Sequence, residues 1–332
     1  MASRLRFLPA IIFLGSSIGS AASFQYMRIG SQTDVTTKTS FGIAMMGGGS
    51  DLDEAFGWLC NKGGGGDFLI LRARGDDDYN SYVSGLCKAN SVATLVIPDR
   101  ASAQEPKVAE TIRRAEVVFI AGGDQSRYVN FWKGTPVQDA INQNIAEAKP
   151  IGGTSAGLAI QGQFGYGCLK DKRDDPDLRS SDVLPDPYHE RVTLVADFLK
   201  IPHLEGKITD SHFVKRDRLG RTLVFLSRLM QDGLEKDPRD IAIDEKSAFL
   251  VEGDGRGSVV GPGKGVYFIR PTQQPKVCAA KTPLTFEKLE VYHAPHGSHF
   301  DLDRWAGEGG NSYSLSVEKG VVRSTQAGKL LY

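Results

Sequence analysis

The chain has 332 residues, with 40 Lys plus Arg against 40 Asp plus Glu, a formal net charge of +0. Hydrophobic residues make up 40% and charged residues 24%, which excludes a disordered or fibrous chain and leaves ample material for a core. The lack of a basic excess argues against a nucleic-acid binder, because neutralising phosphates requires one.

Arg4 and Arg6 precede an apolar run over residues 7–18, and Gly19, Ser20, Ala21 and Ala22 follow. This order predicts a signal peptide over 1–22 and a secreted mature chain. The run falls short of the ~20 residues that span a bilayer, so no membrane association is expected after cleavage. The four cysteines, Cys60, Cys87, Cys168 and Cys278, include no C-x-x-C pair, which argues against a zinc site. In an oxidising compartment an even count favours two disulfides. Cys60 with Cys87 is the expected first pair, since both end predicted helices, and Cys168 with Cys278 is the second.

A polar segment, 23–40, leads into a single α/β domain over 41–332. Residues 42–46 form a short apolar run closed by Gly47, Gly48 and Gly49, and Ser50 is placed to cap a helix over 51–60. Strands are predicted at 67–71, 93–97 and 116–120, with helices at 79–88, 105–114, 126–132 and 137–148 between or after them. Continuous apolar runs of about five residues alternating with helices predict a parallel sheet buried on both faces, with ligand sites at the strands' carboxyl ends. Residues 170–186 are polar and Pro-containing and read as an inserted surface loop. Strands at 207–210, near 241 and near 248, and a helix over 216–231, come next. From about 262 a Gly- and Pro-punctuated extension of short strands is expected to be less regular.

Gly153-Thr154-Ser155-Ala156-Gly157 matches G-x-S-x-G between an apolar segment and a helix-compatible run at 158–161. Such a strand-to-helix turn exposes a nucleophilic serine, and a helix N-terminus beneath it favours an oxyanion. Gly122-Gly123-Asp124-Gln125 follows a strand directly. The N–H groups of Gly123 and Ala156 are therefore candidate oxyanion donors, with Gln125 facing substrate. A serine hydroxyl needs a base. His212, in Asp210-Ser211-His212-Phe213, lies at a strand end beside Lys215, Arg216, Arg218 and Arg221, cations suited to a substrate carboxylate. Asp244 and Glu245 follow the Ile-Ala-Ile strand, and either carboxylate could orient the imidazole. The order Ser, His, acid differs from the Ser, acid, His of α/β-hydrolases, which counts against a lipase. His293, His296 and His299 with Asp301 have the composition of a metal cluster, but Pro295 and Gly297 place them in a loop. No metal or cofactor is assigned.

Together Ala121-Gly122-Gly123-Asp124-Gln125, Gly153-Thr154-Ser155-Ala156-Gly157, Asp210-Ser211-His212-Phe213 with Arg216, Arg218, Gly220 and Arg221, and Ile243-Asp244-Glu245 resemble the cyanophycinase family of serine peptidases. That family also includes aspartyl dipeptidases. The resemblance, over roughly 41–261, implies a flavodoxin-like, doubly wound, mostly parallel sheet similar to class I glutamine amidotransferases, with added C-terminal strands. It implies Ser155 as nucleophile, His212 as base and Glu245 as acid. It further implies that Gln125, Asp210, Arg216, Arg218 and Arg221 bind a β-aspartyl-arginine unit, and that the protein is a homodimer. Ser211 departs from the family's usual Gln or Thr, and 170–186 is longer than its norm. The expected function is a secreted serine exopeptidase acting on aspartyl peptides, without a cofactor. An α-aspartyl dipeptidase and a non-catalytic binding protein on the same fold are the rivals.

Overall fold

The computed structural model describes residues 23–170 and 177–332. The expected signal segment and part of the 170–186 stretch lie outside the described residues. The first half of the chain runs β1 (Gln25–Gly30), β2 (Gly42–Met46), α1 (Asp53–Lys62), β3 (Asp67–Arg72), α2 (Asp78–Leu86), β4 (Ser91–Val96), α3 (Pro106–Arg114), β5 (Val117–Ile120), α4 (Gln125–Trp132), α5 (Pro136–Ala146) and β6 (Ile151–Thr154). There follow β7 (Phe164–Tyr166), α6 (Ser180–Val183), β8 (Leu194–Ala196), β9 (Lys207–Asp210), α7 (Leu219–Gln231) and β10 (Arg239–Ile243). The remainder is β-structure: β11 (Ala248–Glu252), β12 (Arg256–Val260), β13 (Val266–Pro271), β14 (Val277–Ala279), β15 (Thr282–Ala294), β16 (His299–Asp301), β17 (Ala306–Glu308), β18 (Asn311–Glu318) and β19 (Val321–Ser324).

Two sheets organise these elements. In the first, β4-β3-β5-β6-β2 are mutually parallel, with antiparallel β1 outside β4 and β11 outside β2. In the second, β7, β9 and β10 are parallel, and β13, β15, β18 and β19 extend the sheet antiparallel. Strand periodicity explains how they stack. Along β2, Ile43 and Met45 enter one core cluster while Ala44 and Met46 enter another beneath α1 and α2. Along β10, Ile241 and Ile243 join the cluster of Ile43 and Met45, and Ala242 joins the one that α7 covers. The two sheets thus share a core, each buried Ile or Leu contributing about 1.5–3 kcal/mol. The shared core brings the carboxyl ends of β2, β6, β9 and β10 to one place.

Several expectations are corrected. The cap of α1 is Leu52, without a side-chain bond, instead of Ser50; Asp53 and Glu54 in the first turn favour its N-terminus instead. Residues 158–161 form turns, not a helix. Thr209 Oγ1 donates to Leu158 O at 2.8 Å and accepts from Gly162 N at 3.3 Å, inserting itself where the helical bond between these two groups would form. The stretch after 262 is regular: β15 has 13 residues, and Leu284, Phe286, Leu289 and Val291 are buried along it. Its pattern is broken by a register shift between Phe286 and Leu289 in its pairing with β18, which hides the alternation from a sequence reading. The polar N-terminal segment contains β1, whose partner β4 is remote in sequence. Leu178, Ser180 and Val183 are buried, so this part of the 170–186 stretch docks on the body and does not project as a surface loop. Cys60 and Cys87 form a disulfide. The second pair does not form: Cys168 and Cys278 are both free, and the buried Cys278 thiol lies 3.4 Å from Ser227 Oγ on α7.

Candidate active site

Three strand ends deliver three side chains. Ser155 follows β6, His212 follows β9 after Ser211, and Glu245 follows β10 after Asp244. Ser155 Oγ lies 2.6 Å from His212 Nε2, and His212 Nδ1 lies 2.7 Å from Glu245 Oε1. With Nδ1–H donating to the Glu245 carboxylate, Nε2 is left to accept the serine proton. Ser155 and His212 both have left-handed backbones, with φ of 54° and 48°. Non-glycine residues hold such angles only where their surroundings enforce them.

The enforcing element is the loop after β2. Met46 O accepts from Ser155 N at 3.1 Å, Gly47 O from His212 N at 2.8 Å, and Gly48 O from Lys246 N at 2.9 Å. Three consecutive carbonyls thus register all three site loops. A Cβ on Gly47 would fall 2.0 Å from Asp244 O, and one on Gly48 would fall 2.5 Å from His212 Cε1. Sequence reasoning took these glycines only as the close of a strand. The signal that could have found them is the run of three at a parallel strand's carboxyl end, where ligands and catalytic loops gather.

Gly122 lies close enough that a Cβ on it would be 3.4 Å from Ser155 Cβ. Tyr128 Oη, buried on α4, lies 2.8 Å from Ala121 O and 3.1 Å from Gly122 O and fastens this turn. Gly123 has φ of 147°, an angle natural to glycine. Among the described residues, neither the Gly123 nor the Ala156 N–H has a protein acceptor. Ala156 lies at the start of a turn and not of a helix, so backbone N–H groups, with no helix dipole, are what this turn offers an oxyanion. The Gln125 amide donates to Tyr166 O at 3.4 Å, at the rim between β5 and β7.

The basic cluster divides. Arg221 Nε donates to Asp210 Oδ2 at 2.8 Å, its Nη2 bonds Asp210 Oδ1, and Nη1 donates to Leu178 O at 3.3 Å. Arg218 Nη1 donates to Ser211 O and Nη2 to Asp177 Oδ1, both at 2.8 Å. Asp210, Arg218 and Arg221 are all buried, and with Asp177 they form a network of two cations and two carboxylates beside the histidine turn. Arg216 is exposed, with Nε 3.9 Å from Glu245 Oε1, and is the cation of the cluster that remains beside the triad. His293 takes no part; it stacks on Tyr267 at 4.4 Å and bonds Lys264 O through Nε2 at 2.7 Å.

Burial pushes the His212 imidazole down to about 4; the hydrogen bond it donates to Glu245 opposes this, and the charges of Arg218 and Arg216 add to it. Neutral imidazole is the form that can accept a proton, so the reactivity of Ser155 should persist on acidification past the usual histidine value near ~6.5. Its loss should have a midpoint near pH 4, measured as the rate of labelling by a fluorophosphonate against pH. The same depressed value means the unfolded chain binds the extra proton first. His212's contribution to stability is therefore complete above ~6.5 and is lost as pH falls toward the folded value.

Serine, histidine and glutamate are thus gathered in the geometry of a nucleophile, a base and the acid that orients it. Residues 76–223 match the family model described as Peptidase family S51, a span that includes Ser155 and His212 and ends before Glu245. The chain is similar to the cyanophycinases. It is 28% identical over 220 residues to that of Trichormus variabilis, covering 64% of this chain and 66% of the relative. It is 27% identical over 251 residues to that of Synechococcus elongatus, covering 70% of this chain and 71% of the relative. Among solved structures, a peptidase from an acI-B1 Actinobacterium aligns with a TM-score of 0.48 at 18% identity, over 67% of this chain and 88% of that one.

Proposed function

We propose that this protein is a serine exopeptidase hydrolysing aspartyl-containing peptides, with the β-linked Asp–Arg units of cyanophycin as the first candidate substrate. The observation that carries the reading is the unbroken relay from Ser155 Oγ through His212 to Glu245, at 2.6 Å and 2.7 Å. His212 takes the Ser155 proton as Oγ attacks the scissile carbonyl carbon, and Gly123 and Ala156 N–H groups hold the resulting oxyanion. Each such donor is worth about 3–4 kcal/mol. Collapse breaks the C–N bond, and His212 returns the proton to the leaving amine. Water, deprotonated by His212, then hydrolyses the acyl-enzyme and regenerates Ser155. Arg216 is the cation placed to meet a substrate carboxylate, and Gln125 orients polar groups at the rim.

The flavodoxin-like, glutamine-amidotransferase-like assignment belongs to this reading, supported by the parallel order of the first sheet. So does a secreted location with a homodimeric assembly. The Cys60–Cys87 bridge supports an oxidising compartment, and N-terminal sequencing of the natural protein should begin after Ala22. Substrate choice has a second reading, ordinary α-aspartyl dipeptides. Ser211, whose side chain is buried against Arg218, is the departure from the family's usual Gln or Thr that keeps this reading beside the first.

Fluorophosphonate treatment followed by peptide mapping tests the chemistry: one adduct, on Ser155, is expected, and a folded protein without it would overturn the enzyme reading. Incubation with cyanophycin and with α-Asp dipeptides separates the substrates. Released β-Asp-Arg supports the first, and turnover of the α-linked compounds alone supports the second.

A further inference from the structure

The histidine turn is held from outside the triad. His212 and Asp217 both have φ of 48°, so two left-handed residues bracket a segment that an isolated chain would relax. We infer that Asp244 and Tyr332 are positioning residues that clamp the two ends of this turn and thereby aim the His212 imidazole; the inference rests on the catalytic reading of Ser155, His212 and Glu245. Asp244 Oδ1 accepts from Val214 N at 3.0 Å and Lys215 N at 2.9 Å, the residues following the Phe213 ring. The carboxylate is buried and stands next to Glu245. One strand end therefore supplies the imidazole's acceptor through one residue and the turn's acceptor through its neighbour. Local pattern alone leaves Asp244 and Glu245 interchangeable, and the resemblance assigns a task to Glu245 only; the geometry gives each its own.

At the far end, Tyr332 Oη accepts from Leu219 N at 3.1 Å and donates to Asp217 Oδ1 at 2.8 Å. Its ring stands edge-on to Phe213 at 5.5 Å and to Tyr267 at 6.1 Å. Phe213 is fully buried and is covalently next to His212, so pressure on its ring reaches the catalytic residue directly. Ser180 closes the same end, with Oγ 2.6 Å from Asp217 O. The charged groups facing the imidazole, Glu245, Arg218 and Arg216, stand on or beside the elements so clamped, and any shift of the turn alters their distances together.

The test uses the full chain with Asp244→Ala, Asp244→Asn and Tyr332→Phe. Two quantities are read: the His212 titration by NMR, which needs no turnover, and the fluorophosphonate labelling rate. Asp244→Ala should raise the His212 midpoint from about 4 toward the ordinary value, as the loosened turn admits water. It should also slow labelling about tenfold, a fraction of the hundredfold that a full ångström of misplacement brings. Asp244→Asn keeps an oxygen that accepts both N–H groups and should restore most of both readings. Tyr332→Phe keeps the ring and removes only the bridge, so it should move the midpoint the same way by a smaller step even if Asp244→Ala does not fold. A wild-type midpoint and rate in Tyr332→Phe together with a wild-type midpoint in folded Asp244→Ala overturns the inference, as does an Asn variant as damaged as the Ala one. A protein whose His212 midpoint moves as stated while its wild type takes no label refutes the peptidase reading and keeps the clamp.

Discussion

Replacing Gly48 by alanine should lower the labelling rate of Ser155, and kcat/KM on any substrate, by at least about a hundredfold. The added Cβ would stand 2.5 Å from His212 Cε1, 2.6 Å from its Nε2 and 3.1 Å from Ser155 Cβ. Contacts under about 3.4 Å force something to move, and here the neighbours are the reacting groups. The loop cannot retreat as a unit, because Met46, Gly47 and Gly48 carbonyls hold the N–H groups of Ser155, His212 and Lys246. The imidazole must swing instead, and a misplacement of about 1 Å costs on the order of 10² in rate. Alanine at φ +92° also carries backbone strain of about 1–3 kcal/mol. Gly233→Ala separates the two effects. Gly233 has φ +70° with nothing within 4 Å of the added Cβ, so it should lose stability and keep its labelling rate. A Gly48→Ala protein that labels like the wild type would remove the loop from the site's machinery.

How legible these features are depends on the range over which they are determined. Four of the parallel strands are readable because burial on both faces demands apolar runs such as residues 68–71, and these alternate with helices. Ser155 and His212 are readable because each sits in a short motif at a strand end, where the backbone is bent by local chemistry. Local pattern alone does not separate Glu245 from Asp244, since both follow β10 and both are carboxylates; the family resemblance selects Glu245, and the geometry puts it 2.7 Å from His212 Nδ1. The turn at 158–161 defeats local reasoning for a definable cause: the hydroxyl of Thr209, some fifty residues away, takes the groups a helix would have used. The same holds for β15, whose long pairing with β18 is interrupted by a register shift. The Gly47–Gly49 run is visible as letters, but its function consists of contacts to residues 155, 212 and 245, which no window around it contains.

The arginines present the sharpest case, and it yields the largest expected effect on stability. Arg221→Ala should destabilise the protein by about 3–5 kcal/mol, read as a fall in the thermal or denaturant midpoint, because it strips a buried carboxylate of its bidentate partner and leaves Arg218, 3.5 Å away, as its remaining cation. Burial by itself would raise the Asp210 carboxyl; Arg221, by charge and hydrogen bonds, and Arg218 overcome this and hold it below its ordinary value. Asp210 therefore contributes stability above the unfolded carboxylate value of ~3.9, which is lost as pH falls through the lower folded one. Without Arg221 that order reverses. The carboxyl faces Asp240, already pushed well above the carboxylate range by burial and by the charge of Asp210, and must take up a proton or open the core. The variant should consequently lose most of its deficit on mild acidification, the opposite of the wild type. Arg221→Met with Asp210→Leu removes both charges while filling similar volume beside Tyr166 and Phe225, and should recover at least half of the loss. Equal stability of Arg221→Ala and wild type at neutral pH would mean that Asp210 finds water or another cation. The buried pair would then not be what fixes the base of the Ser211–His212 turn. The expected result instead ties the cluster to function indirectly: Asp210 is two residues from His212, so the ion pair anchors the strand end from which the histidine is aimed.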